Sequence, residues 1–580
     1  MSKPDNKFAV FNYNKLLLCS TVCLMGTFFC NSADATYYDY ADIYEAFADK
    51  TQLDRGYELN SNLSMEQGVT IARQSSSQSP VFTLKGNGYG IATKASVTGP
   101  AFNIDSSNKT LNIQNVGQGS SGNIVKSGFY DKNSTWFTNS GILNISSSAI
   151  NNNSLTADGN TAIVWNGKTA NLSDVHFSNN STTLEDKGLI HNTSSGTMTI
   201  NNSYFMNNSG RYLINNSQTG NTLNINNSHF SGNTAIIGNK GTLNISSSVF
   251  SNGTASELHI TSGVAKLTDT DFTNNSGIYF TGGNLSIYAT GKNVTVNKLN
   301  SDSSTPVYIR TTTHINIPSI LGNMDINKAE TGKQYTGTVT LGGFNSEGAG
   351  KTVTIHNGTV VINGYSTIGT LRLQDSPVTF KYNATVSSGS TQDLKLENFY
   401  ASGSHTLDFQ NNAIQNKIEL ADKNDSQSGN LTLNGTITLK IDVDLATGAA
   451  DYLYTATQSS LVNISGSFNL NDINLLSSTS GSTTSIKICD SVLKSHFNLG
   501  VTSISLDNNL YSISYQEKSD GGYLVFTREN EDVRDTACVR TPECSALGFT
   551  TKVNDIASLG KTAFCSPCPT NGSMYKCIKN

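Results

Sequence analysis

The strongest constraint on this chain is a unit that recurs six times between Gly141 and Phe280. It consists of Leu-x-Ile, a two-residue gap, a small residue, then an aromatic or aliphatic anchor, with a pair drawn from Asn and Gly soon after. The copies read LNISSSAINNN, ANLSDVHFSNN, MTINNSYFMNN, LNINNSHFSGN, LNISSSVFSNG and AKLTDTDFTNN. Their anchors are Ile150, Phe177, Phe205, Phe230, Phe250 and Phe272, spaced by 27, 28, 25, 20 and 22 residues. A period in this range means that successive units stack, because one unit alone cannot bury its apolar face.

Alternation inside each copy makes the unit a strand rather than a helix. Leu223 and Ile225 point one way with Asn224 between them, the period of two of a β-strand. Ser228 and Phe230 resume that pattern after an odd step, so the chain turns at Asn226-Asn227. The corner column is Ser147, Asp174, Asn202, Asn227, Ser247 and Asp269, side chains that bond nearby backbone; Asn and Asp also tolerate left-handed φ. A second corner follows each anchor, at Asn152-Asn153, Asn179-Asn180, Asn207-Asn208, Gly232-Asn233, Asn252-Gly253 and Asn274-Asn275. A third apolar run comes next, as in Ile163-Val164-Trp165 and Leu258-His259-Ile260, and a Gly leads into the next copy. Three strands and three corners make one triangular coil. The pattern resembles the right-handed parallel β-helix and predicts an all-β solenoid. Its phenylalanines would superpose inside about 4.8 Å apart, each burial worth roughly 1.5 to 3 kcal/mol, with Asn ladders along the edges.

Only 14% of the 580 residues are charged, against roughly 25% in ordinary soluble domains, and Asn, Ser, Thr and Gly fill the deficit. With a net charge of −5 and no Lys/Arg cluster, nucleic acid and anionic membrane surfaces are not expected partners. Lys3, Lys7 and Lys15 precede an apolar run from Leu16 to Cys30, and Ala33-Asp34-Ala35 fits the small-x-small cleavage rule. Residues 1–35 therefore read as a secretory signal peptide. No later stretch is long and apolar enough to predict an integral membrane span.

Residues 36–66 are expected to form an N-terminal cap, in which TYYDYADIYEAFADK puts Ile43, Ala46 and Phe47 on one helical face over the open end of the first coil. Regular coils are expected over 67–290, starting near Gln67, and less regular ones over 291–530. If all of these stack, the rod is on the order of 100 Å long. Within the second part, GNLTLNGTITLKIDVDLATGAADYL and LYSISYQEKSDGGYLVFTREN resemble the distal passenger region of autotransporters from Gram-negative bacteria, where glycine-bounded strands end the β-helix. The resemblance implies an exported surface or extracellular protein. It does not extend to self-secretion, because the fifty residues after Asn530 leave no room for a translocator barrel.

Those residues, 531–580, hold Cys538, Cys544, Cys565, Cys568 and Cys577, while Cys489 is the one other cysteine after residue 35. In an exported chain these six are disulfide candidates with fifteen possible pairings. A zinc site on Cys565-Ser566-Pro567-Cys568 and a free redox thiol are the alternatives. The tail could close the last coil or serve in sorting and attachment.

No catalytic, cofactor or metal residues are expected. Parallel β-helices include pectate lyases and polygalacturonases, whose chemistry needs carboxylates converging on one face, or an acidic metal site with a base. Here Asp174 and Asp269 share a column but lie coils apart, and Asp269 and Asp271 read as surface groups. His176 and His229 share an outward column with Tyr204 between them, and Arg211 is the sole Arg between Arg73 and Arg310. Trp165 sits in a strand run and is expected to be buried. The Asn-x-Ser/Thr sequons, at Asn144, Asn171, Asn201 and Asn207 among others, follow from the repeat. The chain thus reads as a non-enzymatic adhesion or binding scaffold for a host or cell-surface glycan or protein. A polysaccharide lyase or glycoside hydrolase with a divergent site, and a structural component that self-associates along the rod, remain the alternative functions.

Overall fold

The computed structural model describes residues 40–529, apart from 73–74, 118–127, 131, 133, 157–161, 254–256, 345–347, 349, 385–393, 415–417, 421–428 and 456–460, and the backbone of 563–567 and 575–579. It is an all-β right-handed parallel β-helix. In the regular region each coil contributes three strands, for example Thr222–Asn226, His229–Ser231 and Ile236–Asn239. Each pairs in parallel with its counterpart one coil on: Leu223 opposite Leu243, Phe230 opposite Phe250, and Ile237 opposite Leu258.

The expected superposition of anchors is present. Phe177, Phe205, Phe230, Phe250 and Phe272 are fully buried, with successive ring centroids 5.5, 4.7, 4.5 and 4.5 Å apart. The last three contacts are near-parallel stacks, because strand spacing fixes the ring spacing. All six residues of the first corner column have positive φ, between 47° and 54°. Left-handed backbone at every turn explains the Asn, Asp and Ser there.

Inside the second corner an amide ladder runs along the axis. Asn153 Nδ2 donates to Asn180 Oδ1 at 2.9 Å, Asn180 to Asn208 at 3.0 Å, and Asn208 to Asn233 at 2.9 Å. The backbone N–H of each donor residue bonds the same oxygen at 3.0 Å. The second amide hydrogen reaches an inner-strand carbonyl, Ile150, Phe177 or Phe205 further along. A carboxamide is both donor and acceptor, so one residue per coil satisfies the buried polar groups of the turn. Trp136 starts the row, its indole N–H donating to Asn153 Oδ1 at 2.7 Å. At the far end Gly253 replaces the Asn, and the Glu257 carboxyl fills the vacated space; a Cβ on Gly253 would lie 2.6 Å from it. A second buried ladder, Asn139–Asn166–Asn192–Asn216–Asn239, with steps of 2.7 to 2.8 Å, lines the third corner.

The open N-terminal end is closed by helix α1, Ile43–Ala48. Asp42 caps it by accepting from the Glu45 N–H, and the Glu45 carboxylate accepts from the N–H of Ala41, one residue before the cap. Its buried residues are Ile43, Ala46 and Phe47, as the helical spacing requires, and Phe47 packs on Phe82 with centroids 3.8 Å apart. Coiling begins earlier than Gln67: Asp54–Glu58 already pairs in parallel with Val81–Lys85. That strand turns Arg55 inward, where its guanidinium donates to the carbonyls of Ala72 at 2.9 Å and Phe47 at 3.4 Å.

Beyond Phe280 parallel pairing continues as far as Phe497–Leu499, while strands lengthen to Leu394–Asp408 and Leu431–Asp444. Gly403 faces Gly435 in that pair, and a Cβ on Gly435, whose φ is +145°, would lie 2.0 Å from the Gly403 carbonyl oxygen. The stack ends in an antiparallel sheet of Thr483–Asp490, Ser503–Leu506, Asn509–Lys518 and Gly521–Arg528. In the tail, 563–567 and 575–579 pair antiparallel, with Cys565 opposite Cys577 in register.

Candidate functional site

The outward side of the second strands carries the most exposed aromatic feature of the regular coils. Successive strands His176–Ser178, Tyr204–Met206 and His229–Ser231 place their anchor Phe inward, so the flanking residues point out. His176 and Tyr204 stack at 4.9 Å with planes 19° apart, whereas Tyr204 and His229 are 6.2 Å apart and tilted by 46°. The Tyr204 side chain stays 46% exposed and Met206 37%. Burial pulls the His176 imidazole below its ordinary value, against the opposing pull of Asp174. Beside this column runs the first corner column, and between the two lies a shallow groove of ≈ 310 Å³ lined by Asp174, Asn202, Tyr204, Asn227, Ser228, His229, Ser247 and Val249. Asn227 Nδ2 donates to Asn202 Oδ1 at 2.7 Å on the solvent side.

Third strands form a second outward column. Trp165 lies on the outer side, half-buried, with its ring 4.6 Å from that of His191 and the Lys187 ammonium 5.5 Å from its centroid. Its sequence neighbours Val164 and Asn166 both face inward, Asn166 as a member of the ladder, which turns the Trp outward. The expectation of a buried Trp165 is thus corrected, while Trp136 is the fully buried one. Farther along, the Tyr212 ring covers Gly238, and His259 packs on Tyr279 at 4.9 Å.

Asp269 and Asp271 are engaged in a turn and an ion pair. Asp269 accepts from the N–H groups of Thr290 and Gly291 at 2.8 and 3.0 Å, and Asp271 pairs with Lys292 at 2.6 Å. A close acid cluster that sequence reading missed is Asp325–His356–Asp375. His356 Nε2 is 2.9 Å from Asp325 Oδ1, and Nδ1 contacts Asp375. Burial alone would lower this imidazole, but the two aspartates beside it outweigh burial and raise its pKa. No local motif announces the cluster, because its members come from three separate segments. Among the described residues, no group of three or more His, Cys, Asp or Glu is placed to hold a metal ion.

Cys489 is a free thiol, 0% exposed, with its sulfur 3.8 Å from the Tyr515 hydroxyl. Burial pushes it up to about 12, far from thiolate reactivity. Cys538, Cys544 and Cys568 lie outside the described residues, as does the expected signal peptide, and only the backbone is described at Cys565 and Cys577. Among the described residues no helix is long and apolar enough to cross a membrane. No protein-family model matches the chain, and no curated protein matches it.

Proposed function

We propose that this chain is an exported surface or extracellular rod that acts by binding, not by catalysis. One observation carries the reading: Tyr204 and Met206 stand exposed on a solvent-facing strand beside the Asn202 and Asn227 amides. A large apolar group left in water by the sheet adds little to folding and is available for contact with a partner. The resemblance to autotransporter passengers and the low charge support export. The engagement of Asp269, Asp271, Asp325 and Asp375 in turns and ion pairs supports binding over sugar hydrolysis or elimination. Contact repeated along a stiff rod multiplies weak single interactions into avidity.

The test has two arms. Fractionation and protease shaving of the native cells should place the chain outside the inner membrane, and the purified protein should bind cells saturably while releasing no reducing or unsaturated sugar from polysaccharides. A cytoplasmic location, or sugar release that scales with protein concentration, would overturn the proposal.

A further inference from the structure

We infer that Asn357 is a site of spontaneous covalent modification: the Gly358 backbone nitrogen attacks the Asn357 side-chain carbonyl carbon, ammonia leaves, and water opens the resulting succinimide to aspartate or isoaspartate. The site lies in the less regular half of the rod and is independent of the binding-scaffold reading.

Sequence alone nominates six places among the described residues, because Asn-Gly occurs at Asn87, Asn166, Asn252, Asn357, Asn363 and Asn434. Ring closure needs the glycine nitrogen beside the preceding carboxamide carbon, and glycine has no side chain to obstruct that approach. Geometry separates the six. The Gly358 N–H donates to Oδ1 of Asn357 itself at 2.8 Å, which holds the nitrogen against the group it must attack. At the other five the two groups are engaged elsewhere. Gly88 and Gly167 donate to the carbonyls of Asn115 and Asn139, each at 2.8 Å, and Gly253 donates to the Ser276 hydroxyl at 3.4 Å. The carboxamide oxygens of Asn363 and Asn434 accept from the side chains of Asn383 and Ser465, at 3.3 and 2.9 Å.

The peptide unit that carries the nucleophile is also fixed at its other end. Asn327, fully buried, donates from Nδ2 to the Asn357 and Gly337 carbonyl oxygens, both at 3.1 Å, while its Oδ1 accepts from the Thr311 N–H at 3.0 Å. The fold itself demands glycine at 358, where φ is +77° and a Cβ would lie 2.5 Å from the Gly337 carbonyl oxygen. Reacting groups already held together need little further ordering to reach the transition state. Both residues are only half-buried, so water has access for the second step.

A new bond from the Gly358 nitrogen to Cγ replaces the Cγ–Nδ2 bond. The proton of the attacking N–H passes through water to the departing nitrogen, which leaves as ammonia. Water, the one co-reactant, then cleaves either imide C–N bond: the side-chain one gives aspartate, the main-chain one isoaspartate. The second product adds a backbone carbon just ahead of Gly358–Ile362, a strand paired with Thr338–Leu341 and Val378–Tyr382.

The test incubates the full-length folded protein in mildly alkaline water labelled with heavy oxygen, followed by peptide mapping with fragmentation that distinguishes the two acids. Asn357 should convert at least about tenfold faster than the other five sites, with label incorporated and both products present. In the urea-unfolded chain the six should react at similar rates. Asn357→Gln, which would need a larger ring, should stop conversion at this position, with circular dichroism verifying the fold. The inference is overturned if Asn357 stays intact, if any of the other five matches it in the folded chain, or if aspartate forms without isoaspartate, the mark of direct hydrolysis. A preference for Asn357 that survives unfolding would also overturn it, by assigning the reactivity to local sequence instead of to the pinned peptide.

Discussion

Replacing Asn208 by Ala removes the centre of the buried amide row. Its carboxamide oxygen accepts from the Asn180 backbone N–H and from Asn180 Nδ2, both at 3.0 Å, and its nitrogen donates to Phe177 O and Asn233 Oδ1, both at 2.9 Å. The substitution leaves two donors without that acceptor and two acceptors each short of one bond. At about 1 kcal/mol for each of the four lost bonds, plus roughly 1 to 3 kcal/mol for the desolvation of a buried backbone N–H, the cost is about 5 to 7 kcal/mol. A water admitted to the polar cavity would bring the value toward the lower figure. The control is Asn244→Ala on the outer side, where a single amide bond of 2.9 Å to Asn224 is lost in partial contact with solvent; about 0.5 to 1 kcal/mol is expected. Urea unfolding followed by tryptophan emission suits the comparison. Trp136 donates into the same row, and both tryptophans lie in these coils, so the signal reports local rather than global opening. Native-state hydrogen exchange at the Asn180 amide gives a second readout. If Asn208→Ala falls within about 1 kcal/mol of Asn244→Ala, the row is not holding the second corner and the argument fails.

Three other outcomes follow from the same geometry. Burial pushes the Glu257 carboxyl from 4.5 up to about 8, against the smaller opposing pull of the Ser276 hydroxyl. Its raised folded value means that stability is full below about 4.5 and is lost as pH rises through about 8, by up to roughly 5 kcal/mol; Glu257→Gln should therefore raise the thermal midpoint at pH 9 and change little at pH 5, and parallel pH profiles would contradict this. His356, raised by its two aspartates, should contribute stability that is full below its ordinary value of about 6.5 and declines as pH rises through its elevated folded value; an imidazole titration by NMR at or below that ordinary value would refute the ion triad. Phe47→Ala should cost about 3 to 5 kcal/mol and speed exchange chiefly in Asp54–Glu58 and Val81–Lys85, a pattern that hydrogen exchange would miss if the helix were a passive appendage.

Legibility in the sequence followed the sign of the side chain on the inner face. Where apolar residues point in, as at Leu223, Ile225 and Phe230, alternation located the strands, and the left-handed corners followed from Asn, Asp and Ser in one column. Ile43, Ala46 and Phe47 were legible for the same reason. Reading failed where a polar group faces inward. Asn166 entered the core as part of a ladder and reversed the expected direction of Trp165, and Arg55 entered the first coil and hid its start. Both are satisfied by partners distant in sequence, which no local pattern encodes. The candidate groove was half visible: His176, Tyr204 and His229 shared a column on paper, but the adjoining amides were recognised only as turn formers. The Asp325–His356–Asp375 contact depends on register between loosely repeating coils and left no trace in any single stretch.

Helix α1 at one end and the antiparallel sheet Thr483–Arg528 at the other have a consequence for how such a chain can change size. Strand pairing joins each intervening layer to its neighbours, and both terminal seals are indifferent to how many layers separate them. Duplication or deletion of one whole repeat in the gene would therefore lengthen or shorten the shaft in quantised steps of one strand spacing. Shaft length could then vary between lineages without new folding problems, while insertion of half a repeat would misalign every column downstream.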